Sequence, residues 1–268
     1  MAQRCMLLAQ MANLIGIDKM LSVIVITKNE AQHIARCLKS VNWADEIIVF
    51  DSGSDDDTVK ICTQFTDKVF VTDWPGFGPQ KQRALDKAQY DWVLSVDADE
   101  EISEALKQEI QQAMLQASTD GFEIPRLSSY CGKKIKHAGW WPDHVLRLFK
   151  REKGRFTDDV VHERILVEGK THRLKSPILH EAFVDTEEVL HKINSYSSLG
   201  AQKLLTQGKS AGVGLAIGKG LWTFIRTYFL QAAILDGAEG LMLAISNAEG
   251  SYYKYLKLRQ LVKRQSPT

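Results

Sequence analysis

Apolar residues come in short blocks along the first hundred positions, separated by polar stretches with helical spacing. The pattern predicts strands at Leu21–Ile26, Glu46–Phe50, Lys68–Thr72 and Trp92–Val96. Between them it predicts helices at Ala31–Val41, Thr58–Phe65 and Gln80–Ala88, and after them one at Ser103–Ala117. Strands as apolar as Leu21–Ile26 suit burial on both faces. Their alternation with amphipathic helices predicts an α/β fold, a Rossmann-like, mostly parallel sheet with helices on both faces. The texture then changes. Gly121–Leu127, His144–Phe149 and Arg164–Val167 read as strands of a mixed sheet, joined by loops rich in Gly, Trp and basic residues. Glu187–Leu205 reads as an amphipathic helix, and residues 210–258 as a weakly charged, Gly-punctuated apolar tail.

This divides the chain into an extension at 1–20, a sheet domain at 21–183 with halves 21–100 and 120–183, and a helical, partly apolar region at 184–268. In the extension Arg4 precedes an uncharged run from Cys5 to Ile17, like a short signal peptide. No small-residue cleavage site follows, and a core strand begins at Leu21. It reads as a loose or interfacial segment, with Met20 an alternative start.

Composition narrows the class. Hydrophobic content of 44% and charged content of 25% are those of a soluble globular protein. A net charge of +1 gives no case for nucleic acid. The four cysteines are scattered with no C-x-x-C pair, which argues against zinc and a disulfide framework and fits a reducing cytosol.

The tail is apolar from Ala211 to Ala248 but interrupted by Lys219, Arg226, Asp236 and Glu239. A spanning helix needs about 20 largely apolar residues, which no charge-free run supplies. Along Lys219–Leu235 a narrow polar stripe opposes a broad apolar face with Trp222, Ile225 and Phe229. Tyr252, Tyr253 and Tyr255 lead into Lys254, Lys257, Arg259, Lys263 and Arg264. Aromatics with excess cations predict contact with an anionic membrane surface, without crossing. The alternative is that these helices cover the sheet or form a dimer.

Open α/β sheets bind ligands at the carboxyl ends of their strands. Three polar groups fall there: Thr27-Lys28-Asn29-Glu30, Asp51-Ser52-Gly53-Ser54-Asp55 and Asp97-Ala98-Asp99. Desolvating unpaired carboxylates is costly, so packing alone does not place Asp97 and Asp99 after a buried strand. The pair could hold a hard divalent cation, and the cation a diphosphate. An acidic turn made of Asp99, Glu100 and Glu101 would equally suit a helix amino terminus. Ser-Gly-Ser after Asp51 lets backbone N–H groups and a carboxylate approach a ligand, while Asp55–Asp57 suit capping of the next helix. Asn29 and Glu30 follow the same logic, and Glu30 equally suits a cap. Lys81 and Arg83, near a helix start, suit a phosphate or a donor hydroxyl, or a solvated helix face.

The set TKNE, DSGSDDDT and DADEEIS, in this order, resembles the family 2 inverting glycosyltransferases of GT-A fold over residues 21–183. Trp140-Trp141-Pro142-Asp143, Arg147-Leu148-Phe149, Val161-His162-Glu163 and Leu179-His180 are similar to the bacterial glucosyltransferases that extend the lipopolysaccharide inner core. The resemblance implies a nucleotide-sugar donor, with UDP-glucose the first choice, and a lipid-linked oligosaccharide acceptor. It also implies Mg²⁺ or Mn²⁺ and inversion in one displacement. The place implied is cytoplasmic, peripheral on the inner face of the bacterial inner membrane. Residues 21–100 become the nucleotide-sugar half and 120–183 the acceptor half.

Residue by residue, the resemblance implies that Asp97 and Asp99 place the metal on the donor diphosphate and that Asp51 contacts base or ribose. His180 completes the metal site or is a core histidine. Where the family carries a Glu-Asp pair with the catalytic carboxylate, this chain has His162-Glu163. The base role falls on Glu163, with His162 the other candidate. Trp140 and Trp141 stack on sugar rings or form a core pair, and Asp143 accepts sugar hydroxyls. Arg147, alternating with Leu146 and Leu148 as an outward strand residue, meets the phosphorylated acceptor or the donor diphosphate. A glycosyltransferase of another surface polysaccharide or glycolipid is an alternative, and two further rivals stand beside this reading. A sugar nucleotidyltransferase would begin with a Gly-rich phosphate loop, which residues 27–30 lack. The other is an inactive nucleotide-sugar-binding membrane scaffold.

Overall fold

Seven consecutive buried residues make β1 (Leu21–Thr27) a strand covered on both faces. In the computed structural model, which describes residues 20–116, 118–157 and 164–265, β1 lies between β2 (Glu46–Asp51) and β4 (Trp92–Asp97), parallel to both. β3 (Val69–Val71) extends the parallel sheet beyond β2. Alternate residues of β1 serve opposite faces. Val23 and Val25 pack with Ile34 and Leu38 of α1 (Ile34–Val41) and with Leu106 and Ile110 of α4 (Glu104–Met114). Ile24 and Ile26 pack with Ala84 and Leu85 of α3 (Phe77–Lys87). Pointing successive side chains to opposite faces is a strand's period, and an all-apolar strand needs a helix on each side.

Contacts divide the described residues into two compact units. One holds those up to Pro125 together with His144–Ile178, and the other holds Arg126–Asp143 and those from Leu179 onward. The second unit thus takes in residues 126–143 and 179–183 beside the helical region. In the first unit the strands lie in the order β3-β2-β1-β4-β8-β6, where β8 (Asp143–Lys150) runs antiparallel to β4 and β6 is Gly121–Tyr130. β9 (Gly154–Phe156) and β10 (Ile165–Val167) pair antiparallel, and β11 (Thr171–Arg173) pairs with the start of β6.

Several elements differ from the pattern-based expectation. α1 begins at Ile34 rather than Ala31, because a tight turn comes first in which the Glu30 carbonyl accepts from the His33 and Ile34 N–H groups. α2 (Thr58–Cys62) is shorter than expected. α3 starts a turn before Gln80, with Gly76 in a left-handed conformation at its cap. Pro79 sits in that first turn, where its missing N–H costs little. β5 (Glu100–Ile102) is a short strand where only a helix start was anticipated, and Ser103 then caps α4 through its Oγ.

The second unit begins as β6 leaves the first at Arg126. β7 (Lys133–Lys134) pairs with its end, and β12 (Ile178–Phe183) runs alongside. α5 (Thr186–Thr206) opens with a reciprocal cap: Asp185 Oδ1 accepts from the Glu188 N–H at 2.9 Å, and Glu188 Oε2 from the Val184 N–H at 2.8 Å. α6 (Val213–Ile225) runs into a π-helical turn at Arg226–Leu230, a 3₁₀ turn at Ala233–Asp236, and the long α7 (Gly237–Gln265). The core here is Tyr130, Ile135, Val189, Ala233 and Leu243, with Trp140 and Phe183 packed against it. Among the described residues no single helix is long and apolar enough to cross a membrane, and the helices on either side of the break are bent by 68°.

Candidate active site

The sheet register brings the predicted strand ends to one edge. Thr27, the last residue of β1, pairs with Asp51 on one side, and its neighbour Ile26 pairs with Asp97 on the other. Thr27 Oγ1 is buried here without a hydrogen-bond partner. Buried hydroxyls are normally satisfied, so this orphan marks a place where a ligand or water completes the structure.

The loops after β1 and β2 are stitched together. The Asn29 N–H donates to Ser54 Oγ at 2.8 Å, and Asn29 Oδ1 accepts from the Asp55 N–H at 3.0 Å. Asn29 is left-handed, a conformation its short amide tolerates. The Glu30 N–H donates to Thr58 Oγ1, and its carboxylate meets His33 Nδ1 at 2.9 Å. Asp51 is fully buried, and its carboxylate shapes its own turn, accepting from the Gly53 and Ser54 N–H groups at 2.9 and 2.8 Å. Gly53 has φ +78°, which favours glycine. The cap of α2 comes from Asp56, whose Oδ1 accepts from the Thr58 N–H, not from the side chains of its neighbours Asp55 or Asp57.

The acidic turn after β4 is held by cations. Lys81, buried on α3, sets Nζ 2.8 Å from Asp97 Oδ1. Arg147 of β8 donates through Nη2 to Asp97 Oδ2 and, at 2.6 Å, to Glu100 Oε1. Glu100 Oε2 in turn accepts from the Asp97 N–H at 3.0 Å. Burial disfavours charge on Asp97, but Arg147 and Lys81 outweigh it and hold that carboxyl well below the usual range. Burial pushes Glu100 up, with Arg147 offsetting it only in part. Burial also opposes charge on Arg147, yet Asp97 and Glu100 keep its guanidinium protonated.

Arg147 is therefore a correction to the expectation. It is buried rather than outward, because two carboxylates in the first unit await its charge. Arg83 diverges from Lys81, with Nη1 2.8 Å from Asp73 Oδ1 at the surface. Pattern reasoning missed Glu100 and Gln80. Gln80 is fully buried and its Nε2 donates to Ser52 Oγ and Thr72 Oγ1. Its place one residue before Lys81, at a helix start aimed at the strand ends, was the available signal.

Asp143, Trp140, Trp141 and His180 lie in the second unit. Asp143 Oδ2 accepts from Arg126 Nη2 at 2.6 Å. Trp140 stacks on Phe183 at 6.2 Å and meets Tyr130 edge-on, a packing role in that core, and Trp141 beside it is half-buried. His180 Nδ1 is 2.8 Å from Ser128 Oγ. His162 and Glu163 lie outside the described residues.

Among the described residues no three His, Cys, Asp or Glu side chains converge into a cation cage. Asp97 faces Lys81 and Arg147, and Asp99 stands two residues on at the same strand end. Mg²⁺ and Mn²⁺ fit such a place when a diphosphate supplies further oxygens, since Mg²⁺ is commonly held by one or two carboxylates plus substrate phosphates.

The family model and the sequence relatives place the chain in one family. The model of glycosyl transferase family 2 matches residues 22–167. An uncharacterized glycosyltransferase of Rickettsia typhi is 31% identical over 256 residues, covering 91% of this chain and 88% of that one. The lipopolysaccharide core biosynthesis glycosyltransferase LpsC of Rhizobium meliloti is 29% identical over 260 residues, covering 92% and 93%. Among solved structures, Staphylococcus aureus TarS 1–349 in complex with UDP aligns over 92% of each chain, at 15% identity and a TM-score of 0.49.

Proposed function

The chain belongs to glycosyl transferase family 2 and is a glycosyltransferase, and from that premise we propose that it moves glucose from UDP-glucose onto a lipid-linked lipopolysaccharide inner-core acceptor, with inversion. The observation that carries the reading is the acidic turn at the end of β4. There Lys81 and Arg147 fix Asp97, beside the end of β1 and the turn built by Asp51. The name of the Rhizobium relative supports the acceptor class, and the loop Thr27-Lys28-Asn29-Glu30 speaks against nucleotidyl transfer.

In this reading Asp99 would hold a divalent cation together with oxygens of the donor diphosphate. When bound, the cation supplies Lewis-acid stabilisation of charge on the departing nucleoside diphosphate. Lys81 and Arg147 keep the turn from collapsing or protonating, and Asn29, Glu30 and Asp51 shape the loops that receive the nucleoside. Glu163, or else His162, takes the proton of the attacking acceptor hydroxyl. The acceptor oxygen bonds to the anomeric carbon as that carbon's bond to the diphosphate breaks. Trp141 and Asp143 are the candidates for the acceptor, while Trp140 stays in the core of the second unit.

The test is thermal stabilisation by a panel of nucleotide sugars, with and without Mn²⁺, followed by transfer assays on the purified full chain. UDP-glucose with metal should raise Tm most, since a ligand that binds only the folded state stabilises by mass action. Glu163→Gln should keep that stabilisation and lose about a hundred- to ten-thousandfold in transfer. Near-normal transfer by Glu163→Gln with a dead His162→Ala moves the base to His162. Full turnover by metal-stripped enzyme in chelator removes the metal. Stabilisation without transfer to any acceptor favours the scaffold.

A further inference from the structure

In α6 the usual helical arrangement is inverted. The small residues Ala216 and Gly220 are the buried ones, and a Cβ on Gly220 would stand 3.2 Å from Tyr252 Cβ and 3.4 Å from the Ala248 carbonyl of α7. The large residues face outward: Leu221 is 60% exposed and Trp222 54%. The exposure peaks at the break between the helices, where Leu230 is 66% and Leu235 69% exposed, with Phe229 and Ile234 beside them. A contiguous apolar prominence of this kind marks a contact surface rather than ordinary scatter.

What covers it is indicated by the charge around it. The segment from Cys131 to Gly139, which carries Lys133 and Lys134 of β7 and then Lys136, is pinned to the break. Asp236 accepts from the N–H groups of Lys136 and His137 at 3.2 and 2.9 Å and meets His137 Nδ1 at 3.0 Å. The Ala138 N–H donates to the Gln231 carbonyl at 2.8 Å. The carboxylates at the break are spent: Asp236 is buried in these bonds, and Glu239 pairs with Lys133 at 3.2 Å. Lys134 and Lys136 are exposed, as are Lys219 on α6 and Arg226 at the start of the π-helical turn. An apolar break with exposed cations on the segments joined to it, its own acids neutralised, complements a surface of anionic headgroups over hydrocarbon.

We propose that the α6–α7 break is a docking knuckle for an anionic lipid bilayer. Phe229, Leu230, Ile234 and Leu235 enter the outer part of one leaflet, and Lys134, Lys136 and Arg226 meet lipid phosphates. The two helices are bent by 68° at the break, and together, though not singly, they have the length and composition of a broken span or a re-entrant loop. This goes beyond the transfer reading and does not depend on which sugar is moved.

The experiment is flotation of the full chain with vesicles of phosphatidylcholine alone or with phosphatidylglycerol added, without donor or acceptor, so that failure of the transfer reading leaves it intact. The wild type should float with the anionic vesicles and lose recovery as salt rises. Leu230→Glu/Leu235→Glu should lose at least about tenfold in binding with unchanged thermal melting, because the changed side chains are exposed. Lys134→Glu and Lys136→Glu should each lose about fivefold or more, and only on anionic vesicles. If the double variant does not fold, the lysine variants decide. Absence of wild-type flotation, or equal recovery for every variant, overturns the proposal. So does a wild-type dimer that the Leu variants convert to monomer without any lipid effect, since the occupant would then be a second copy. Resistance to alkaline carbonate extraction would overturn it in favour of a span.

Discussion

The two units bury their apolar residues by opposite rules. In the first, alternate side chains of β1 and β4 go to opposite faces, and helices cover both. In the second, α6 turns alanine and glycine toward α7 and leaves leucine, isoleucine and tryptophan outside. Charge follows the same division. The first unit buries an arginine between two carboxylates, whereas the second carries exposed lysines beside its apolar break. An apolar pattern thus states that a segment must be covered, and only the fold states whether the chain itself supplies the cover.

The strongest way to break the first unit is to remove the charge inside it. Arg147→Met would leave Asp97 and Glu100 facing each other in a buried turn, with Lys81 on Asp97 alone. Removing one partner from a buried ionic cluster costs about 3–5 kcal/mol. Urea unfolding should show that loss, together with loss of transfer. Arg147→Lys should fall between, because it keeps a positive charge near the two carboxylates but lacks the planar guanidinium and its reach. A near-wild-type Arg147→Met would mean the cluster contributes little.

The next pair of changes sets the units directly against each other. Leu94 is fully buried between the sheet and its helices, and Leu94→Ala should cost about 2–5 kcal/mol through lost burial and the cavity left behind. Leu235→Ala in the second unit, at an exposed site, should stay within about 0.5 kcal/mol. Equal losses in thermal melting would show that Leu235 is covered in solution even without lipid.

The same contrast explains what the sequence disclosed. β1, β2 and β4 were legible because each is a short apolar run, and burial on two faces leaves no polar gaps to misread. Asp51 and Asp97 were legible as strand-end residues because a parallel sheet fixes which ends carry chemistry. What they bond to was not. Alternation with Leu146 and Leu148 pointed Arg147 outward, and its partners Asp97 and Glu100 lie about fifty residues away in the chain, beyond any local pattern. Glu100 read as a helix-start acid because nothing local distinguishes a solvated carboxylate from one paired across the sheet. The cap Asp56 stands in a run of three aspartates, where only geometry selects one. For α6, periodicity gave the faces correctly but could not say which one would meet protein.

The smallest expected effect is a pH dependence belonging to the first unit. Glu46, at the start of β2, is buried, and its carboxylate accepts from Ser22 Oγ at 2.5 Å, from the Gln89 N–H at 3.0 Å and from Lys68 Nζ. Burial pushes its pKa upward, but the bonds from Lys68, Ser22 and Gln89 outweigh it, so the folded value lies below the ordinary 4.5. A carboxyl that is more acidic folded than unfolded binds its proton first in the unfolded chain. Its contribution to stability is therefore complete above pH 4.5 and is lost as the pH falls through the folded value. Glu46→Gln removes the titrating group while keeping the shape, although its amide must leave one of these donors poorly matched. The variant should be less stable than wild type at neutral pH, and the two should converge as the solution is acidified. Urea midpoints measured from about pH 7 to about pH 3 would read this convergence. Parallel curves would assign the acid sensitivity to other carboxylates and leave Glu46 as a packing residue.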